Sequence, residues 1–537
     1  MKHFEYSCGC KFGVLDNDQL KIDFDPINHP INFDCKKTWH LISDGNTKGC
    51  FQLESRLGKS MAKKLKPENI EQLSALISIL RPGCLEAFRD GKSVSNHYID
   101  KKNGEESVDY YHPALENVLS TTFGEMIYQE QAMEIAKQIA GFDLQEADNL
   151  RKAIGKKKPE EMAKLKKKFM KGSKKLKIVT DAEAEEIFGW IEKSQRYSFN
   201  KSHAVSYAVN AYLSAYAKAH FPRIFFASYL RFAKDKIDPK LEIKALVQNA
   251  AEMDIEISVP DLRNLNELFI MKNKKIYFGL TDIKGFGSSV FQKLIKVVQD
   301  NDLKFDNISW IEILFKILVN INSTAAKALI KSGGIDFIKQ TRTSMLFDYS
   351  ITSELTKKEI GFILDNLHHC SNIYECILKL HNEHKLTSRR KTIISGLLDS
   401  IKNPPYSLDD SPEWLSDTED EVLGCSITCS KVDMYDVTMT NCNCKEVNTT
   451  LLNDIIVCGE ISSMSVVKTK SGKTPGAEMA FVSLSDSFGV IDSVIFFPEA
   501  YKQYRNILFD NNVIIIKGKK SRNGDSMIVE KAFIPKT

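Results

Sequence analysis

The chain has 537 residues, 43% hydrophobic and 27% charged, a balance that excludes wholesale disorder and leaves room for about three or four globular domains. Its 74 basic and 70 acidic residues leave a net charge of only +4, so any polyanion must be met by local clusters of cations rather than by overall charge. No apolar run approaches the ~20 residues of a membrane span, and the first fifteen residues lack the apolar core of a signal peptide. The expectation is therefore a cytoplasmic protein without a membrane partner, its twelve cysteines reduced.

Residues 1–35 read as a β-rich segment of short strands and turns, punctuated by Asn17, Asp18, Pro26 and Pro30. Cys8 and Cys10, with Cys35 and His3 or His29 nearby, could hold a structural Zn²⁺. They could equally be unrelated thiols, because the second knuckle of a strong zinc signature is missing. From residue 36 to 235 the pattern is mostly helical. Apolar residues at Ile70, Leu73, Leu76, Ile77 and Leu80 form a helical stripe over residues 68–80, stopped by Arg81-Pro82-Gly83. Further helices are expected at 130–140, 182–193 and 204–220.

Residues 236–336 carry a short strand at 275–279 and the turn Ile283-Lys284-Gly285-Phe286-Gly287. Residues 337–449 read as a helical connector that turns acidic near its end, with Asp409, Asp410, Glu413, Asp417, Glu419, Asp420 and Glu421. From 450 to 537 the period changes. Five short strands, at 455–461, 479–484, 490–497, 513–519 and 527–532, with a helical piece at 500–508 after the third, fit an OB-fold barrel. The expected fold class is a multidomain α+β protein: a mostly α-helical domain, a helix-hairpin-helix region and a C-terminal all-β barrel.

Three features carry chemistry. From Arg151 to Lys177 there are thirteen Lys or Arg against Glu160 and Glu161. Within it, Arg151 and Lys152 precede Gly155 and then Lys156, Lys157 and Lys158. Such density is a solvated helix face or a site for phosphates, either of a triphosphate or of a nucleic-acid backbone. Asn200-Lys201-Ser202-His203 places an amide, an ammonium, a hydroxyl and an imidazole at a helix start, where Asn200 or Ser202 can cap and where anions are favoured. Together the two read as halves of one phosphate clamp. The third feature, Ile283 to Gly287, resembles a helix-hairpin-helix turn, in which Lys284, Gly285 and Gly287 would grip a DNA phosphate through backbone N–H groups. Tyr501, Tyr504 and Phe496 are the aromatic candidates for stacking single-stranded bases on the barrel.

Gly49-Cys50-Phe51-Gln52-Leu53-Glu54-Ser55, Leu80-Arg81-Pro82-Gly83, Tyr128-Gln129-Glu130-Gln131, the stretch 151–162 ending Lys158-Pro159-Glu160-Glu161-Met162, and Phe199-Asn200-Lys201-Ser202-His203 occur in this order. That series resembles the fingers domain of the α subunit of bacterial replicative DNA polymerase III, the C-family polymerases. The likeness runs over about residues 34–232 and resumes at the helix-hairpin-helix and through the barrel. Lys152 stands where an arginine is usual, which keeps the charge and loses the bidentate fork. Ser198 replaces a glycine and Cys84 a proline.

The resemblance implies template-directed DNA synthesis on primer–template DNA. Arg151, Lys152, Lys156, Asn200, Lys201, Ser202 and His203 would bind the incoming dNTP, and Lys157, Lys158, Lys284, Gly285 and Gly287 would bind DNA. It also implies a two-Mg²⁺ site on palm aspartates. No PHP region, thumb or full palm is legible in the 537 residues. Asp23, with Asp25, is a palm-like motif lying too close to Phe51 for the family's spacing. The expectation is the C-terminal part of a split polymerase, of the kind a phage genome could encode, whose palm- and PHP-bearing portion is a separate chain. A sliding clamp is a further possible partner, with Thr343-Ser344-Met345-Leu346-Phe347 as the nearest candidate peptide. The alternative is a non-catalytic DNA-binding or replisome scaffold protein that kept the fingers fold.

Overall fold

The computed structural model describes residues 3–5, 11–16, 19–21, 31–156, 159–194, 197–447, 450–469, 474–521 and 526–536. The chain divides into two compact units, residues 1–222 and 223–537. Sequence reading placed the end of the helical fingers region at 235.

In the first unit, β1 (His3–Glu5), β2 (Lys11–Asp16) and β3 (Gln19–Lys21) form an antiparallel sheet in sequence order. Helices follow. α1 (Ile70–Ile79) starts where Asn69 accepts a hydrogen bond from the Gln72 N–H, two residues later than its apolar stripe suggests. α2 (Gln129–Ala140) is fixed by Gln131, whose side-chain oxygen accepts from the N–H groups of Ile127 and Tyr128. α3 (Leu144–Lys156), α4 (Pro159–Leu176) and α5 (Asp181–Ser194) pack with α2 around a core that includes Ile135, Ile139, Leu150, Phe169 and Phe188. α6 (Lys201–His220) begins three residues before its expected start because Asn200 caps it.

The second unit opens onto one hydrophobic core that runs from Phe226 to Cys425 and crosses the sequence boundary expected at 336. It includes α7 (Pro239–Glu252), the three-stranded sheet of β4 (Ile257–Ser258), β5 (Ile270–Lys272) and β6 (Lys275–Tyr277), and α8 (Ser288–Asp300). α9 (Ser323–Lys331), α10 (Arg342–Ser353) and α11 (Pro412–Leu423) complete the part used below. The acidic connector is not a solvated tether. Asp410 accepts from the N–H groups of Arg342 and Thr343 at the start of α10, and the Glu419 carboxylate is fully buried against Arg342.

The five expected strands form a closed barrel: β7 (Ile455–Lys468), β8 (Glu478–Ser485), β9 (Val490–Phe496), β10 (Val513–Lys520) and β11 (Met527–Phe533). The order is β8-β9-β11-β10-β7, closed by β7 with β8, and only β9 and β11 pair in parallel. α12 (Pro498–Tyr504) lies between β9 and β10, as an OB-like barrel requires. β7 runs seven residues past its expected end because residues 463–468 continue to pair with β8 beyond its pairing with β10. Among the described residues no helix is long and apolar enough to cross a membrane.

Candidate functional site

Four of the five ordered sequence motifs meet around the start of α6. A single parallel β-bridge joins Tyr128 to Phe199, with the Gln129 N–H donating to the Phe199 carbonyl and the Phe199 N–H to the Ile127 carbonyl, both at 2.9 Å. Glu130, in the first turn of α2, then reaches across. Its two carboxylate oxygens accept from Asn200 Nδ2 and from the Lys201 backbone N–H, each at 2.9 Å. Asn200 Oδ1 in turn accepts from the His203 N–H and the Ser202 hydroxyl. The positive end of α6 is thus already satisfied by Glu130 and Asn200, so an anion arriving here would be met by side chains more than by the helix terminus.

Lys201 supplies the cation. Its Nζ lies 2.7 Å from Glu71 Oε1, in the first turn of α1, and 5.4 Å from the centroid of the Tyr128 ring. Three helix N-termini, those of α1, α2 and α6, therefore converge on one spot, held by Glu71, Glu130 and Lys201. Burial pushes the Tyr128 phenol up, so it stays a neutral wall. Beside this spot runs a ladder of rings. The Arg81 guanidinium sits 3.6 Å from the Phe199 centroid, Phe199 lies 5.3 Å from His203, His203 3.9 Å from Tyr207, and Tyr207 5.1 Å from Phe51. Arg81, His203 and Phe51 are exposed, so the ladder presents π-faces to solvent next to the ammonium.

Arg151 and Lys152 lie on α3 and both pair with Asp148, at 2.8 Å each. These two cations hold the Asp148 carboxyl below its usual range. Lys201 pairs instead with Glu71 of α1, so each basic motif has its own carboxylate partner. The side chain of Lys156, together with Lys157 and Lys158, lies outside the described residues, as do Cys8, Cys10, Asp23 and Asp25. Cys35, expected beside Cys8 and Cys10, is buried with its thiol 3.3 Å from His220 Nε2. Among the described residues no three His, Cys, Asp or Glu side chains are arranged to hold a metal ion, so they provide neither the zinc set nor the two-metal carboxylates.

The helix-hairpin-helix turn is built as its sequence implies. Ile283 and Phe286 are buried, while Lys284, Gly285 and Gly287 are exposed. Gly285 has φ +91°, and Gly287 starts α8 with no side-chain cap and no acid in the first turn, so the leading N–H groups beside exposed Ser288 and Ser289 face outward. Other N–H groups here are taken: Lys284 donates to the Val422 carbonyl at 2.8 Å, Phe286 to Ile283 and Val290 to Gly287, both at 2.9 Å. A second glycine turn, Gly333-Gly334 after α9, is buried and cannot serve as another grip. On the barrel, Phe496 is core and Tyr501 and Tyr504 pack against that core. Phe481, between core residues Ala480 and Val482 and in register with Ser465 and Ile495, lies on the outer sheet face. The candidate clamp peptide lies inside α10 with Met345 and Phe347 buried.

Sequence reasoning missed Glu71 and Asp148, and held Glu130 only as part of the Tyr128 to Gln131 motif, with no role. First-turn or i,i+3/i,i+4 placement was the signal for the two that were missed.

Comparison with known proteins agrees with this architecture. Residues 14–177 match the model of the bacterial DNA polymerase III alpha subunit finger domain, and residues 254–345 match a helix-hairpin-helix motif. The chain is 30% identical to the DNA polymerase III subunit alpha of Aquifex aeolicus over 97% of its own length and 41% of the relative. Identity is also 30% to the Pseudomonas aeruginosa subunit over 95% of this chain and 43% of the relative, and 32% to the Borreliella burgdorferi subunit over 92% and 41%. The chain spans about two fifths of the length of these relatives, and their alignments take in nearly all of it. With a fingers-domain match, a helix-hairpin-helix match and likeness along nearly all of its length, the chain is similar to the C-terminal part of bacterial DNA polymerase III alpha subunits.

Proposed function

We propose that this chain binds the incoming deoxynucleoside triphosphate and primer–template DNA for template-directed DNA synthesis. The observation that carries the reading is the meeting of Arg81, Glu130, Asn200, Lys201 and His203 from separate motifs around three helix N-termini. Lys201 meets phosphate, and the ring ladder lies where the sugar and base of the same nucleotide can rest. Arg151 and Lys152 on α3 add a second phosphate cluster. The hairpin at Gly285 to Gly287 holds duplex backbone without reading sequence, and the barrel holds a single strand.

The described residues do not form the two-Mg²⁺ site that this chemistry needs. In our reading the palm carboxylates come from outside these 537 residues, on a separate polypeptide. Primer extension by the 537-residue chain with Mg²⁺ and four triphosphates should give no product, and adding the palm-bearing partner should restore it. Product without the partner refutes the split arrangement. In the reconstituted enzyme Lys201→Ala should slow nucleotide addition on the order of 10²–10³-fold, as loss of one preorganised charge donor does. An unchanged rate under single-turnover conditions refutes the role given to Lys201.

A further inference from the structure

Lys201, Arg151 and Lys152 each already pair with a carboxylate, but Glu71 is placed differently from the others. Glu130 accepts two hydrogen bonds that fix the start of α6, so it is tied to the fold. Asp148 shares a helix with Arg151 and Lys152. Glu71 comes from another helix; the Lys201 and Glu71 side chains are 35% and 37% exposed, while the Oε1 that faces the ammonium is itself buried and accepts no hydrogen bond. Its position in the first turn of α1 stabilises its charge whether or not Lys201 is present. Lys201 has a flexible four-carbon stem and can swing from one oxygen anion to another without moving α6. A half-exposed ion pair of this kind shifts an equilibrium by a factor of only about 1.4–5, so a ligand carrying several charges can displace it.

We propose that Glu71 is a displaceable counter-ion and positioning residue for Lys201. In the empty site it holds the ammonium over the Tyr128 ring, and it yields the ammonium to a polyphosphate. The inference rests on the reading of Lys201 as a polyphosphate ligand. Binding is then an ion exchange: Lys201 trades one carboxylate for a phosphate, and Glu71 returns to water at the positive end of α1. The pairing also keeps an unfilled Lys201 from holding stray backbone phosphates.

The test is calorimetric titration of inorganic tripolyphosphate into the full 537-residue chain at fixed ionic strength, using Glu71→Gln, Glu71→Asp, Lys201→Ala and the Glu71→Gln/Lys201→Ala pair. Glu71→Gln removes the competing charge at nearly constant shape and should tighten binding about two- to fivefold. Glu71→Asp keeps the charge and should stay within about 1.5-fold of the parent. In the Lys201→Ala background, Glu71→Gln should have no effect. If Glu71→Gln leaves binding unchanged or weaker while Lys201→Ala lowers it, Glu71 is only a helix-end charge and the inference fails, with the reading of Lys201 intact. If Lys201→Ala leaves binding unchanged, both fail. Thermal melts of the four variants exclude misfolding as the cause, because Glu71 and Lys201 are surface positions and their changes should move the midpoint little.

Discussion

Arg342→Ala should be the costliest single polar substitution in the second unit. Its guanidinium is 2% exposed and pairs with Asp336 through two bonds, Nε to Oδ1 at 2.9 Å and Nη2 to Oδ2 at 2.6 Å. Nη1 donates to Glu419 Oε1 at 2.7 Å and to the Lys331 carbonyl at 3.1 Å. Removing one partner of a buried pair typically costs about 3–5 kcal/mol. Asp336 is 39% exposed and can turn to water. Glu419 is fully buried but keeps donors from the Ile427 N–H, the Thr428 N–H and the Thr428 hydroxyl. The expected loss is therefore near the lower end, about 3 kcal/mol. Urea unfolding followed by tryptophan fluorescence measures it, and hydrogen exchange over residues 331–345 and 410–430 localises it.

Gly333 sharpens the test. It has φ +80°, and a Cβ there would lie 2.3 Å from Arg342 Nη2. Gly333→Ala should cost about 1–2 kcal/mol in backbone strain plus the displacement of Arg342. In the Arg342→Ala background the strain remains, and the other neighbour of that Cβ, Asp336 Oδ2 at 2.9 Å, can turn to water, so the double variant should be more stable than the sum of the singles requires, by about 1 kcal/mol or more. A loss under 1 kcal/mol for Arg342→Ala, or strict additivity, refutes the view that this charge cluster holds the connector to the hairpin region.

The helix-hairpin-helix is tested by Gly285→Ala, which meets both φ +91° and the Thr324 methyl at 3.0 Å. It should destabilise the turn by about 1–2 kcal/mol and weaken duplex binding, while single-strand binding by the barrel is unchanged; equal loss on both ligands would refute separate sites. Asp282, just before that turn, has its carboxyl pushed up to about 7 by burial, with Lys234 and Arg231 opposing the shift. A raised folded pKa means that stability is held below the ordinary carboxyl pKa and lost as pH rises through about 7, by at most about 4 kcal/mol for a shift of about three units. Asp282→Asn should therefore be more stable than the parent at pH 8 and close to it at pH 4 in urea unfolding; a gain at pH 4 as large as that at pH 8 would refute the assignment. Binding by the parent chain should fall steeply with salt, with a log–log slope of about −0.7 to −0.9 per phosphate contact, and a flat dependence would exclude the lysine clusters as its source.

The barrel was legible because β-branched strands separated by turn residues have few alternatives. The helix over 70–79 was legible because its apolar stripe is strong. The residues that gather around the start of α6 were legible only as separate motifs. What hid the rest was distance along the chain. Glu130 meets Lys201 across 71 positions, and Arg342 meets Glu419 across 77. Glu419 reads in sequence as one acid in a solvated run, yet it is fully buried because an arginine far upstream supplies its counter-charge. Cys35 looked like a companion of nearby thiols and instead faces a histidine 185 residues away. Such pairings follow from topology, which no local period encodes.

The bridge between Tyr128 and Phe199 has a consequence for how the protein is made. Until Phe199 and Asn200 have left the ribosome, the start of α2 has no partner strand, and the Glu130 carboxylate has no α6 to hold. At about 5–20 residues per second, the 71 positions between Glu130 and Lys201 correspond to roughly 4–14 s of synthesis. During that interval the basic stretch from Arg151 to Lys177 emerges before the segment that carries Asn200 and Lys201. A nascent chain stalled in this window would expose dense positive charge without its ordered partner, next to the RNA-rich surface of the ribosome itself.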